Sequence, residues 1–182
     1  MINDKLKELV QRTAVNFDNS VRGDIIIFTL GLTEEIAEAI EALKNAEMCE
    51  PEDATVYEEE FKVELADVVW YSIATDLCLG FSLLDFHGIE VGAKPNNLCR
   101  FLNPLDALYA ALHKAIQHQG KVKKYVRDYP NRPVDTIRGY IEPLIILNDY
   151  FDLSDSYDLL EAKLGKRYPK GFDPARVNTE QH

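Results

Sequence analysis

The sequence predicts an all-α protein, and three observations support this prediction. Apolar residues recur every three or four positions from Leu32 to Leu43, which is the spacing of one helix face. The stretch 65–77 is apolar almost all round, as is typical of a buried helix. The β-branched run 24–28 has no second strand candidate nearby to pair with, so we interpret it as buried helix as well.

The remaining elements follow from the same spacing and from turn residues. We predict helices at residues 2–17, 24–43, 56–78, 104–119, 133–151 and 154–167. Loops are predicted at 45–55, which contains Pro51, and at 86–104, which is rich in Gly, Pro and Asn. Pro143 requires that the fifth helix either begins there or kinks.

Composition bounds the class of protein. The chain has 182 residues, 46% of them apolar, and a net charge of −11. This acidity argues against nucleic acid or an anionic membrane as a partner. Three widely spaced cysteines form neither a CxxC zinc pattern nor a disulfide framework. Without a signal-like or membrane-length apolar run, the expected location is the cytoplasm.

Two pairs of carboxylates dominate the predicted helices. Glu35 and Glu38 lie three residues apart, and so do Glu64 and Asp67, so each pair shares one helix face. The second pair lies in the buried helix, where unpaired carboxylates are costly. Two such helices side by side would gather four acids, which need a cation. Oxygen ligands without His or Cys favour Mg²⁺, Mn²⁺ or Ca²⁺ over zinc.

The pattern Glu34-Glu35-x-x-Glu38, a spacer and Glu64-x-x-Asp67 resembles the MazG-like all-α nucleoside triphosphate pyrophosphohydrolases, whose motif is often written EExxE, spacer, EExxD. The stretch 163–172, KLGKRYPKGF, is similar to the KLxxRYPxGF tail of bacterial and phage members. Val63 stands in place of one motif acid, and Leu160 in place of an Asn that such members commonly carry.

The resemblance implies a Mg²⁺-dependent conversion of (d)NTP to (d)NMP and pyrophosphate. Carried over by position, the metal ligands are Glu35, Glu38, Glu64 and Asp67. Glu34 or Glu38 would activate water, and Lys163, Arg167 and Tyr168 would reach the phosphates or the nucleotide. The resemblance also implies a homo-oligomer, a dimer or a tetramer, in a bacterial or phage-infected cytoplasm.

Several alternatives stay open. A purine-preferring enzyme acting on dGTP or GTP, a dUTPase and a dCTPase all fit the motif, and a non-catalytic, metal-stabilised assembly module is the candidate from another class. Trp70 is either a core residue or a stacking platform for the base. Arg167 and Tyr168 either bind substrate or hold the C-terminal segment in place. His113 and His118, five residues apart and without a third ligand, do not indicate a zinc site.

The chain is expected to form a single domain over 1–182, a helical bundle of the MazG-like type with extra helices in its C-terminal half. The catalytic helices span about 24–80, the C-terminal tail covers 154–182, and 104–152 is either a degenerate repeat or an insertion. In the repeat interpretation, Ala111 and Lys114 correspond to Glu35 and Glu38, and Thr136 and Gly139 to Glu64 and Asp67. None of these four can bind metal, so one acidic site is expected.

Overall fold

The structure is a computed structural model that describes residues 4–14, 21–78, 103–127 and 142–167. These residues form helices and no strand, which confirms the predicted all-α class. The six helices are α1 Asp4–Thr13, α2 Val21–Met48, α3 Ala54–Cys78, α4 Pro104–Arg127, α5 Glu142–Tyr150 and α6 Ser156–Arg167. None of the described helices is both long enough and apolar enough to span a membrane.

The two longest helices, α2 and α3, form the most extensive packing contact of the fold. The turn between them covers only 49–53, so the predicted loop at 45–55 is too long at both ends. Residues 45–48 continue α2 because Ala46 and Glu47 favour helix and no breaker precedes Pro51. This short connection makes the two helices antiparallel neighbours.

The apolar run 24–28 is helical, as predicted. Ile25 and Phe28 are buried in the core, whereas Ile26 and Ile27 lie at the surface. This pattern of exposure follows the helical period, since residues three apart share a face and their neighbours do not. Helical geometry therefore gives the run one core face and leaves a partly exposed apolar strip on the other.

The C-terminal helices pack on this pair from two sides. The helix α4 lies against α2, and α5 lies against α4. Asn103 caps α4 by accepting a hydrogen bond from the Asp106 backbone N–H at 2.8 Å. α5 begins at Glu142, so Pro143 lies in its first turn, where proline is tolerated. The part of the predicted fifth helix before residue 142 lies outside the described residues.

Helix α6 returns to the first half of the chain and packs against α3 and α1. Its buried residues are Ser156 and Leu160, and Leu153 just before the helix is buried as well. The exposed face of α6 carries Lys163 and Arg167. This packing places α6 beside the part of α3 that holds the second acidic pair.

Candidate metal centre

Three carboxylates converge between α2 and α3. Glu35, Glu64 and Asp67 each contribute one carboxylate oxygen to a group whose oxygens all lie within 4.8 Å of one another. Glu64 and Asp67 share a face because they are one turn apart on α3, and Glu35 approaches from α2. The sequence predicted that four acids would converge, and the structure brings three of them together.

The environment of the acids disfavours their charged forms. Burial, followed by the nearby charge of Asp67 and a hydrogen bond with Glu64, raises the pKa of Glu35 from 4.5 to about 8. The pKa of Glu64 is raised chiefly by burial. Two carboxyl groups joined by a hydrogen bond share one proton, so this pair holds a proton at neutral pH in the absence of a cation.

Asp67 is the most deeply placed of the three, with 9% of its surface exposed. Burial raises its pKa, although the hydrogen bond and charge of Lys163 and the charge of Arg167 act in the opposite direction. Lys163 of α6 donates a hydrogen bond to Asp67 Oδ2. Burial alone would lower the pKa of Lys163, but the contact with Asp67 and the charges of Glu64 and Glu35 raise it overall.

One oxygen of the site has no hydrogen-bond donor among the described residues. Glu64 Oε2 is buried, and no amide, ammonium, guanidinium or hydroxyl group of the described residues donates a hydrogen bond to it. A buried carboxylate oxygen without a donor is costly, and it marks a place where a cation would supply the missing interaction. The donor set, carboxylate oxygens without His or Cys, fits a hard divalent cation such as Mg²⁺ or Mn²⁺.

The other two predicted acids lie at the rim. Glu34 and Glu38 are exposed on α2, and neither belongs to the group of three. Glu38 is nevertheless close enough for its charge to raise the pKa of both Glu35 and Glu64. Its assignment as a metal ligand stays a prediction, as does a role in proton transfer for either residue.

The predicted substrate-binding residues occupy different places. Lys163 contacts the acids themselves, and Arg167, one turn further along α6, acts on Asp67 through its charge. Trp70 packs edge-on against Phe28 and donates its indole N–H to Thr13 Oγ1 of α1 at 2.9 Å. This contact ties the indole to the core, and base stacking by Trp70 stays a prediction. Tyr168 lies outside the described residues.

Tyr71 belongs to the site although the sequence alone does not single it out. Its ring lies against the backbone of α2 at Gly31, where a Cβ atom would come within 2.3 Å of Tyr71 Cε1. Burial raises the pKa of Tyr71 to about 12, and the charges of Glu35, Asp67 and Glu34 add to this effect. The available signal was spacing, because Gly31 precedes Glu35 and Tyr71 follows Asp67 by one helical turn each.

Comparisons with protein-family models, curated proteins and solved structures find no match to the chain.

Proposed function

We propose that this protein is a Mg²⁺-dependent nucleoside triphosphate pyrophosphohydrolase, which converts a (d)NTP and water to a (d)NMP and pyrophosphate. The observation that supports this proposal most is the convergence of Glu35, Glu64 and Asp67 from two packed helices. The motif resemblance, which rests on the same residues and on the segment 163–172, supplies the reaction class.

The three carboxylates would hold the cation. Three carboxylates would leave part of an octahedral coordination sphere free, and Mg²⁺ commonly combines one or two carboxylates with water and substrate phosphates. Binding would release the proton that Glu35 and Glu64 share, because metal ligands must be deprotonated. When bound, the cation offsets phosphate charge and lowers the pKa of a water molecule.

The residues around the acids would accept the proton of the attacking water, contact the pyrophosphate and donate a hydrogen bond. Glu38, exposed one turn after Glu35, would accept the proton of the water that attacks the α-phosphorus, with Glu34 as the alternative. Lys163 and Arg167 would contact the departing pyrophosphate from α6, since they are the cationic groups whose charges reach Asp67. Tyr71, uncharged at neutral pH, would add a hydrogen-bond donor beside the acids without adding to their negative charge.

Assembly into a dimer or a tetramer is part of the proposal. Ile26, Ile27 and Leu30 form a partly exposed apolar strip on α2, with 37%, 37% and 49% of their surfaces exposed. Apolar groups gathered on one helix face favour contact with another protein surface. The same strip would serve the alternative, a metal-stabilised assembly module without catalysis, so product formation decides between the two.

The experiment is a product assay with each ribo- and deoxyribonucleoside triphosphate, in Mg²⁺ and in EDTA. We expect equal amounts of nucleoside monophosphate and pyrophosphate in Mg²⁺ and neither product in EDTA. In ¹⁸O-labelled water the label should enter the monophosphate, because attack is at the α-phosphorus. Glu41 is an exposed acid on α2, outside the acidic group, so Glu41→Gln is a control for the loss of a negative charge and should retain full activity. If none of the nucleotides yields pyrophosphate, the enzyme proposal is refuted and the assembly module is left as the alternative.

A further inference from the structure

Lys163 reaches into the acidic group from a different helix. Its ammonium donates to Asp67 Oδ2, and this ion pair links α6 to α3. The charges of Glu64 and Glu35 act on the same ammonium. A single lysine therefore interacts with all three acids that would hold the cation.

The two partners of the ion pair differ in their freedom to move. The Asp67 side chain is 12% exposed, whereas the Lys163 side chain is 42% exposed. Asp67 is fixed within α3, but lysine carries its charge on a flexible four-carbon stem with water on one side. The lysine can leave the carboxylate for solvent, and the carboxylate cannot follow it.

A divalent cation and an ammonium cannot share the same carboxylate oxygen without strong repulsion between them. Asp67 Oδ2 is the atom that Lys163 contacts, and Asp67 is one of the three acids that converge. Occupation of Asp67 Oδ2 by the cation therefore requires the ammonium to withdraw from that oxygen.

We propose that Lys163 is a built-in counter-ion that competes with the divalent cation for Asp67 and so weakens cation binding. The proposal rests on the metal-binding half of the proposed function and is independent of the reaction catalysed. In this view Lys163 offsets part of the charge of the acids, and it becomes available to an anionic ligand once the cation replaces it. The lysine thereby links the arrival of the cation to the appearance of a free positive charge beside it.

The test is a calorimetric titration of Mn²⁺, without nucleotide, into the wild type, Lys163→Met and Lys166→Met. Methionine keeps an unbranched side chain of similar length and removes the charge. Lys166 is exposed on the same helix and is the matched control for the loss of one positive charge. We expect Lys163→Met to bind Mn²⁺ about 3- to 10-fold more tightly than the wild type, and Lys166→Met to stay within about twofold of it.

The sign of the change decides the outcome. If Lys163→Met binds Mn²⁺ no more tightly than Lys166→Met does, the lysine does not compete and the counter-ion proposal is wrong, while the metal centre stands. If none of the three proteins binds Mn²⁺, both the counter-ion and the metal centre are refuted. Lys163→Gln, which also removes the charge, should reproduce the gain in affinity, and circular dichroism checks that each variant is folded.

Discussion

Two helix contacts in this molecule differ in the charges that surround their acidic side chains. Between α2 and α3, the carboxylates Glu35, Glu64 and Asp67 face one another, and Lys163 forms an ion pair with one of them. Between α4 and α5, Glu142 lies between Lys114 Nζ at 2.9 Å and His118 Nε2 at 3.3 Å. The first contact gathers acids around a half-exposed lysine, and the second gathers bases around one acid.

The difference is the reason for proposing a cation site between α2 and α3. Residues of α4 and α5 can balance the charge of Glu142 by themselves, so their contact needs no external ion. At the α2–α3 contact three acids converge beside the half-exposed Lys163 and within reach of the charge of Arg167, and no amide, ammonium or hydroxyl group of the described residues donates to Glu64 Oε2. The convergence of carboxylates from two helices, rather than the number of acids on one helix, is therefore the feature that supports the proposed metal centre.

The same comparison bears on the predicted repeat. Ala111 is fully buried and Lys114 bonds to Glu142, so the α4 positions that correspond to Glu35 and Glu38 carry no acid. Their partners in the repeat interpretation, Thr136 and Gly139, lie outside the described residues. Both interpretations of 104–152, as a degenerate repeat and as an insertion, stay predictions.

The largest expected effect comes from removing one acid of the α2–α3 contact. Asp67→Asn keeps the shape of the side chain but removes a metal-ligand charge, so pyrophosphate release should fall by about 100-fold or more. The variant should remain folded, since the amide can still accept a hydrogen bond from Lys163. Steady-state kinetics in saturating Mg²⁺ measures the loss, and a rate within a few-fold of the wild type would show that Asp67 is not a ligand.

A second substitution disturbs the packing of α2 against α3 beside the acids. In Gly31→Ala the new Cβ atom would meet Tyr71 Cζ at 2.4 Å, so the ring or the helix backbone must shift. We expect the free energy of unfolding to fall by about 1–3 kcal/mol, measured by urea denaturation.

The matched control is Gly165→Ala on α6, where no atom lies within 4 Å of the position that a Cβ atom would take. Alanine favours helix over glycine, so this variant should be more stable by up to about 1 kcal/mol. Equal effects of the two substitutions would mean that helix propensity, and not the Tyr71 contact, governs Gly31.

The pH dependence of stability should differ in sign between the two contacts. The pKa of Glu35 is about 8 in the folded protein and close to 4.5 in the unfolded chain. Between these values the folded state holds more protons, so its stability in EDTA should fall as the pH rises. Urea denaturation at about pH 5, 6 and 8 measures this slope. It should be smaller in Glu35→Gln, and an unchanged slope in that variant would contradict the assignment.

At the other contact the sign is reversed. Burial raises the pKa of Glu142, but hydrogen bonds from Lys114 and His118 outweigh it and lower the pKa overall. Its contribution to stability is therefore present above the ordinary glutamate value of 4.5 and is lost as the pH falls below it.

The smallest effect is expected from Glu142→Gln. Both Glu142 and Lys114 are more than a third exposed, so the loss of their ion pair should cost only about 0.2–1 kcal/mol. Neither Mn²⁺ affinity nor pyrophosphate release should change, because α5 does not contribute to the acidic group. Thermal denaturation and the product assay check this, and a large loss of turnover would mean that the two contacts are coupled.

The fold and much of the site follow from local sequence patterns. Helical spacing located α2 and α3, and the i, i+3 acids indicated which faces would meet. Glu38 shows the limit of this reasoning, since a residue three positions from Glu35 shares its general face and yet lies exposed outside the group of three. Spacing along one helix does not reveal how far a neighbouring helix covers it.

Long-range contacts account for the rest. The tail motif singled out Lys163 for phosphates, but the packing of α6 on α3, which directs this lysine to Asp67, depends on residues 96 positions apart. The sequence did not predict the place of Tyr71 for the same reason, because its ring packs against Gly31 on another helix. Local spacing places Gly31 and Tyr71 one turn from an acid each, but it does not show that the two helices bring them into contact.

The most direct test of the metal centre is the anomalous diffraction of crystals grown with Mn²⁺. We predict a peak within bonding distance of carboxylate oxygens of Glu35, Glu64 and Asp67, with the Lys163 ammonium withdrawn from Asp67. A map without a peak at these residues at saturating Mn²⁺, or with Lys163 still bonded to Asp67 beside a peak elsewhere, would contradict this prediction.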